Sequence, residues 1–317
     1  MKLEPTVRSG FLLLILALPL SGCSVERFAT NRLADSLAAA GTTYASDDDP
    51  ELVAAALPFS LKLMESVLAS TPDHRGLLAA TCAGFTQYAY AFVQQQADAD
   101  ALEDPDRAWP GWYRARRLYL RARDYGLRGL DVAQPDFSTK LRAAPADAVT
   151  LAGASEVDLL YWTAVSWAAA IALAKDDPSM VAELPLVSAL IDRALAVDED
   201  WDRGTIHSFL VTYEMSRPDA AGERVANARV HFDRAIELSK GNDAGAHVAW
   251  AESVCLRREE RSCFEQALQA AMRVDPDDHP PTRLANAIYR RRAAWLLAHV
   301  DRWILPPLDE AAERQEP

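Results

Sequence analysis

The stretch that decides the fold is Ala228-Arg229-Val230-His231-Phe232-Asp233-Arg234-Ala235-Ile236, answered further along by Phe264-Glu265-Gln266-Ala267-Leu268. Phe232 and Phe264 stand 32 residues apart, as do Ala235 and Ala267, and Ile236 and Leu268. Apolar residues three and four positions apart share one face of a helix, so each string is an amphipathic helix. Recurrence at a fixed interval means that similar helices stack side by side, each burying its apolar face on the next. The pattern continues upstream: Leu61, Met64, Val67 and Leu68 lie on one face, and Leu186, Leu190, Ala194 and Leu195 on another. Turn signals punctuate it at Thr71-Pro72-Asp73, Asp198-Glu199-Asp200, Gly241-Asn242-Asp243 and Asp275-Pro276-Asp277. No run of alternating strand residues competes, so the expected fold class is all-α, an array of helical hairpins.

The order A-x3-F-x2-A from Ala228 to Ala235 resembles the second helix of a tetratricopeptide repeat. The consensus Trp and Gly of the first helix are mostly missing, so the repeats are degenerate. The expectation is an α-α superhelix of such repeats in one domain over residues 47–305, with a capping helix from Arg283 to Trp303. The Asp47-Asp48-Asp49-Pro50 cluster reads as the start of its first helix. Two segments interrupt the periodicity. Gln94 to Gly111 is polar and turn-rich, and Asp131 to Asp158 is expected to hold one short helix between loops; such insertions often line a site. The charged tail 306–317 is expected to fray.

The N-terminus carries a separate message. Lys2 and Arg8 precede an apolar run from Phe11 to Leu20, followed by Leu20-Ser21-Gly22-Cys23. Ten residues of helix cover about 15 Å, half of the ~30 Å hydrocarbon core, too short for a stable span. Residues 1–22 therefore read as an export signal. The Leu-Ser-Gly-Cys string resembles a bacterial lipobox, in which the Cys23 thiolate takes a diacylglycerol before cleavage. With acyl chains worth ~0.8 kcal/mol per buried methylene, two or more chains hold a protein on a membrane. Ser24 after the cysteine resembles the outer-membrane sorting pattern, with segment 23–46 tethering a body that faces the periplasm.

Composition narrows the function classes. Removing residues 1–22 takes away Lys2, Arg8 and Glu4 and leaves 31 basic and 45 acidic side chains, a net charge of −14. Such a surface argues against nucleic acid and against docking on anionic lipid headgroups. Half of the residues are hydrophobic, enough for a large core. In the oxidising periplasm, Cys255 and Cys263 flank the charged turn Leu256-Arg257-Arg258-Glu259-Glu260-Arg261, where a disulfide and two free thiols both fit. Cys82, among Leu77, Leu78, Ala79 and Ala80, reads as a core residue.

Catalytic constellations are absent from the sequence: there is no H-E-x-x-H, G-x-S-x-G, phosphate loop or dinucleotide fingerprint, so no enzyme, cofactor or metal is expected. The six histidines are scattered. Asp198, Asp200 and Asp202 alternate as in a calcium loop, but Gly204 comes one place late and Phe209 stands where the closing glutamate belongs, so a turn is the better reading. Aromatics are more suggestive: Tyr161, Trp162 and Trp167 crowd one helix, and Tyr88, Tyr90 and Phe92 another. Such stripes pack cores more often than they bind ligands, though Tyr and Trp also wall pockets.

Several strings, in their order and spacing, resemble the T component of TRAP transporters: Pro58-Phe59-Ser60-Leu61-Lys62, Leu118-Tyr119-Leu120-Arg121-Ala122, Leu160-Tyr161-Trp162, Gly204-Thr205-Ile206-His207, His231-Phe232-Asp233-Arg234-Ala235 and Arg283-Leu284-Ala285-Asn286. The resemblance implies an outer-membrane-associated periplasmic lipoprotein, a homotrimer with a pore or cleft in each protomer. It also implies partnership with the solute-binding P component and a small ligand, hydrophobic or an organic acid. It places Tyr161, Trp162, Trp167, His207 and Asn286 on the pore wall, although each also fits core packing. The competing reading is a protein-interaction scaffold of envelope assembly. The anchor gives a direct expectation: the wild-type chain partitions into the detergent phase of Triton X-114 and incorporates labelled palmitate. Cys23→Ser should stay aqueous and unlabelled; detergent partition of that variant would refute the lipobox.

Overall fold

Asp49 begins the first long core helix by accepting a hydrogen bond from the Leu52 amide at 2.9 Å, and Pro50 follows where a missing N–H costs nothing. The computed structural model describes residues 18–218, 220 and 222–305, with side chains from Phe28 onward. Residues 1–17 of the expected export signal, the Cys23 thiol and the tail 306–317 lie outside what it describes. The described residues are helical throughout, with no strand among them.

An N-terminal helix α1 (Leu18–Ala39) leads into α2 (Pro50–Ser70) and α3 (Arg75–Tyr88). The segment read as a tether thus docks on the body: Ala34 is completely buried with Leu61 and Leu77, and Asp35 lies 3.1 Å from His74. The segments expected to break the array are helical instead. Residues 94–111 form α4 (Gln95–Glu103) and the start of α5 (Pro105–Ala133), where Asp104 caps by accepting from the Asp106 amide at 3.0 Å. Their polarity comes from facing water and interior partners, which a periodicity reading takes for a loop. Residues 131–158 hold short helices at Phe137–Ala143 and Pro145–Val149, whose Phe137, Leu141 and Ala148 enter the core.

Helices then follow as packed neighbours: α6 (Val157–Ala172) on α5 and α7 (Leu184–Val197), α8 (Thr205–Tyr213) on α9 (Arg224–Ser239), α10 (Ala244–Trp250) on α11 (Arg261–Arg273), and α11 on α12 (Arg283–Ala298). Of the recurring positions, Ala235, Phe264 and Leu268 are fully buried, as is Ala228 before them, and Ala267 is nearly so, while Phe232 and Ile236 are half-buried. Cys255 and Cys263 join as a disulfide across the turn before α11, Cα atoms 5.5 Å apart, within the usual span of such a bridge. Cys82 is a buried free thiol that burial pushes up to about 12.

The last helix returns to the beginning of the chain. Arg283 donates to the Ser46 carbonyl at 3.0 Å, Arg291 pairs with Glu51 at 2.7 Å, and Arg302 donates to the Leu102 carbonyl at 2.6 Å. The array therefore closes on itself.

Close helix approach governs the central contact between α5 and α6. A Cβ on Gly126 would stand 2.1 Å from Thr163 Oγ1 and 3.0 Å from Cys82 Sγ. Gly126→Ala should therefore destabilise by about 1–3 kcal/mol through overpacking, outweighing the ~1 kcal/mol that alanine gains in helix propensity. Urea denaturation checks this; an unchanged or higher midpoint would contradict the tight contact.

Candidate ligand-binding interior

Two helices of the closing region end in π-turns, Ala89–Gln94 after α3 and Ala251–Cys255 after α10. A π-turn widens the backbone by one residue and is found disproportionately at functional sites. The first supplies Tyr90 and Gln94, the second Glu252, and both face α12. Tyr90 and Tyr289 rings lie 5.6 Å apart. Arg292 donates to Glu252 at 2.7 and 3.2 Å and pairs with Asp98 at 3.1 Å. Asp98 accepts in turn from the Trp112 indole at 2.9 Å, and Gln94 from the Tyr119 hydroxyl at 2.7 Å. Tyr289 fits because position 245 is glycine: a Cβ there would be 2.8 Å from its ring.

Tyr90, Asp98, Glu252, Tyr289 and Arg292 are all half-buried. Yet burial, helped by neighbouring phenols and acids, holds the Tyr90 and Tyr289 hydroxyls far above the usual phenol range. Burial also raises the Glu252 carboxyl, against the opposing pull of Arg292. For Arg292 burial acts downward, but Glu252 and Asp98 outweigh it and keep the guanidinium charged. These side chains form a half-buried polar and aromatic cluster where the closing segments meet.

Tyr161 extends this wall. Its ring sits 4.9 Å from Trp162 edge-on, 4.9 Å from Trp201 and 6.3 Å from Phe209. Its hydroxyl is raised by burial and then by Tyr289, Asp202 and Asp243. Burial raises Asp202 as well, with Asp243 adding to it. Arg292 pairs with two carboxyl groups here, Asp98 and Glu252, while Asp243 caps α10 and accepts from Ser208.

The five residues expected on a pore wall divide. Tyr161 and Trp162 stand together in this aromatic group. Trp167 is fully buried nearby, donating to Glu183 at 2.7 Å under the Arg123 guanidinium, 5.0 Å from its ring. Asn286 is buried in a capping network, accepting from the Ala244 amide at 3.0 Å and donating to Asn242 at 3.0 Å. His207 lies between α8 and α9, its Nδ1 2.8 Å from Nδ1 of His231. The acidic turn before α8 is occupied too: Arg234 binds Glu199 at 2.5 Å and Asp200 at 3.0 Å. Sequence reasoning missed Glu252, Tyr289 and Arg292. Arg290-Arg291-Arg292 reads as a solvated run, and nothing local marks its third member as turned inward.

The family model for the TRAP transporter T-component matches residues 46–303. An uncharacterized protein of Treponema pallidum (strain Nichols) is 28% identical over 320 residues, covering 95% of this chain and 99% of the relative.

The histidine pair makes stability depend on pH. Burial, then the His231 neighbour, lowers His207 to about 4, and burial lowers His231 from 6.5. The remaining charges around the pair are Glu199, Asp200 and Arg234 on one side, and Asp192, Glu214 and Arg217 on the other. Below 6.5 the unfolded chain takes up protons that the folded pair refuses, so stability is full above that pH and falls toward pH 4. His207→Gln should flatten the melting-temperature profile between pH 6.5 and 4 relative to wild type. Identical slopes would contradict the buried neutral pair.

Proposed function

Because the chain belongs to the TRAP transporter T-component family, we propose that it is a lipid-anchored periplasmic accessory subunit that holds a small ligand in the interior between its two closing ends and passes it to the solute-binding P component. Its place is the periplasmic face of the outer membrane, held there by Cys23, as a homotrimer. The observation that supports ligand holding is the meeting of two π-turns and α12 around Tyr90, Glu252, Tyr289 and Arg292, with Tyr161 and Trp162 continuing the wall. Trp167, His207 and Asn286 act behind that wall, fixing the helices that carry it.

The same charges favour one ligand chemistry over another. Asp98 and Glu252 share the single cation Arg292, which leaves the cluster acidic, disfavours an organic acid and suits a neutral or cationic molecule with an apolar face.

Native mass spectrometry of the mature chain purified from its own periplasm tests the reading. It should carry a bound small molecule, lost on Trp162→Ala, and should co-purify with the solute-binding component. Bare protein without that partner across several growth conditions would refute it.

A further inference from the structure

Between Arg114 and Arg128 the sequence places six arginines and one aspartate, a local charge of +5 on a chain of net charge −13. All of it lies on α5, whose opposite side (Ala115, Tyr119, Ala122, Gly126) is buried against α3 and α6. At 100° per residue, Tyr113, Arg117, Arg121, Asp124 and Arg128 form one outward stripe about 22 Å long. Tyr113 is 55% exposed and Trp109, one turn earlier, 58%. The arms of Arg117, Arg121 and Arg128 stand around a cleft of about 440 Å³ with Leu120, Asp124 and Tyr125.

The local acids neutralise this stripe only in part. Asp124 is taken by Arg123, at 2.8 and 3.0 Å. Glu65 accepts from Tyr125 at 2.9 Å and from Lys62, and lies 3.6 Å from Arg121. Arg128 donates to the Pro72 carbonyl at 2.6 Å. Among the described residues Arg117 meets no carboxylate; its guanidinium lies 5.9 Å from the Tyr113 ring.

We propose that this stripe is a docking surface for a protein partner that presents a row of carboxylates. A solvated face made for solubility would mix signs and use lysine. Here every cation from 114 to 128 is arginine, whose planar fork matches a carboxylate with two parallel hydrogen bonds. Arginine with exposed Tyr and Trp is also the composition of interface hot spots. All six residues around the cleft come from one helix face, so the surface is long and open, a shape for a macromolecule. A membrane or nucleic acid would bring its own extended negative charge against the strongly acidic remainder of the molecule, whereas a protein can present carboxylates to the stripe alone. The inference rests on the docking half of the proposed function and is independent of the interior ligand.

The test uses fluorescein-labelled deca-glutamate and the mature chain. Anisotropy should show binding that weakens about tenfold or more between 50 and 300 mM NaCl. The R117E/R121E variant, with an unchanged melting temperature, should lose at least about tenfold in affinity, while R107E, whose arginine pairs with Glu103 outside the stripe, should bind like wild type. Absence of peptide binding, equal binding by R117E/R121E, or tighter binding of phosphatidylglycerol vesicles or duplex DNA than of the peptide overturns the proposal. The peptide reads the surface whatever the partner's name, so a failure to capture the solute-binding component would count against the proposed function and leave this surface standing.

Discussion

Arg292 is the most buried of the arginines through which the last long helix is held to earlier parts of the chain. It takes one carboxylate from α4, Asp98, and another from the π-turn after α10, Glu252, while its guanidinium lies 4.6 Å over the Trp295 ring. Removing charges from water is expensive, and a buried ion pair persists only when its hydrogen bonds are satisfied. Here the cation is shared between two acids, and Asp98 is further satisfied by Trp112. Breaking such a pair leaves an unpaired buried charge, typically worth about 3–5 kcal/mol. The constraint therefore does more than add stability. It helps to place Tyr289, on the same helix, against Tyr90.

Charge is divided unevenly between inside and outside. At the closing cluster two carboxylates share one cation, Arg292, the chain as a whole is acidic, and Arg117, Arg121 and Arg128 of α5 lie on one outer stripe. The histidine pair sits apart from both, and its effect is on the α8–α9 contact alone.

The helical class was legible because burial follows period: Phe264, Ala267 and Leu268 recur where a stacked helix must bury them. The periodicity is looser at the equivalent positions of α9, where Phe232 and Ile236 are only half-buried and Phe232 packs on Trp250 at 5.2 Å. The polar segment 94–111 misled because hydrophobic patterning cannot see a helix whose polar residues are used by interior partners; Asp98 is such a residue. Of the site, the aromatic strings at 88–92 and 161–162 stood out as composition. Glu252, Tyr289 and Arg292 did not, since a π-turn leaves no periodic signature and pairing between distant segments is a property of the closed array. Trp167, His207 and Asn286 were noticed as residue types, and their partners Glu183, His231 and Asn242 decide what they do.

Hydrogen–deuterium exchange on wild type and Arg292→Ala tests the closure most directly. If Arg292 holds the ends together, its loss raises exchange simultaneously in Gln95–Glu103, Ala251–Cys255 and Arg283–Ala298, segments distant in sequence, while α6 and α7 stay protected. Increased exchange confined to Arg283–Ala298, or none at all, would contradict an interior closed by this one cation.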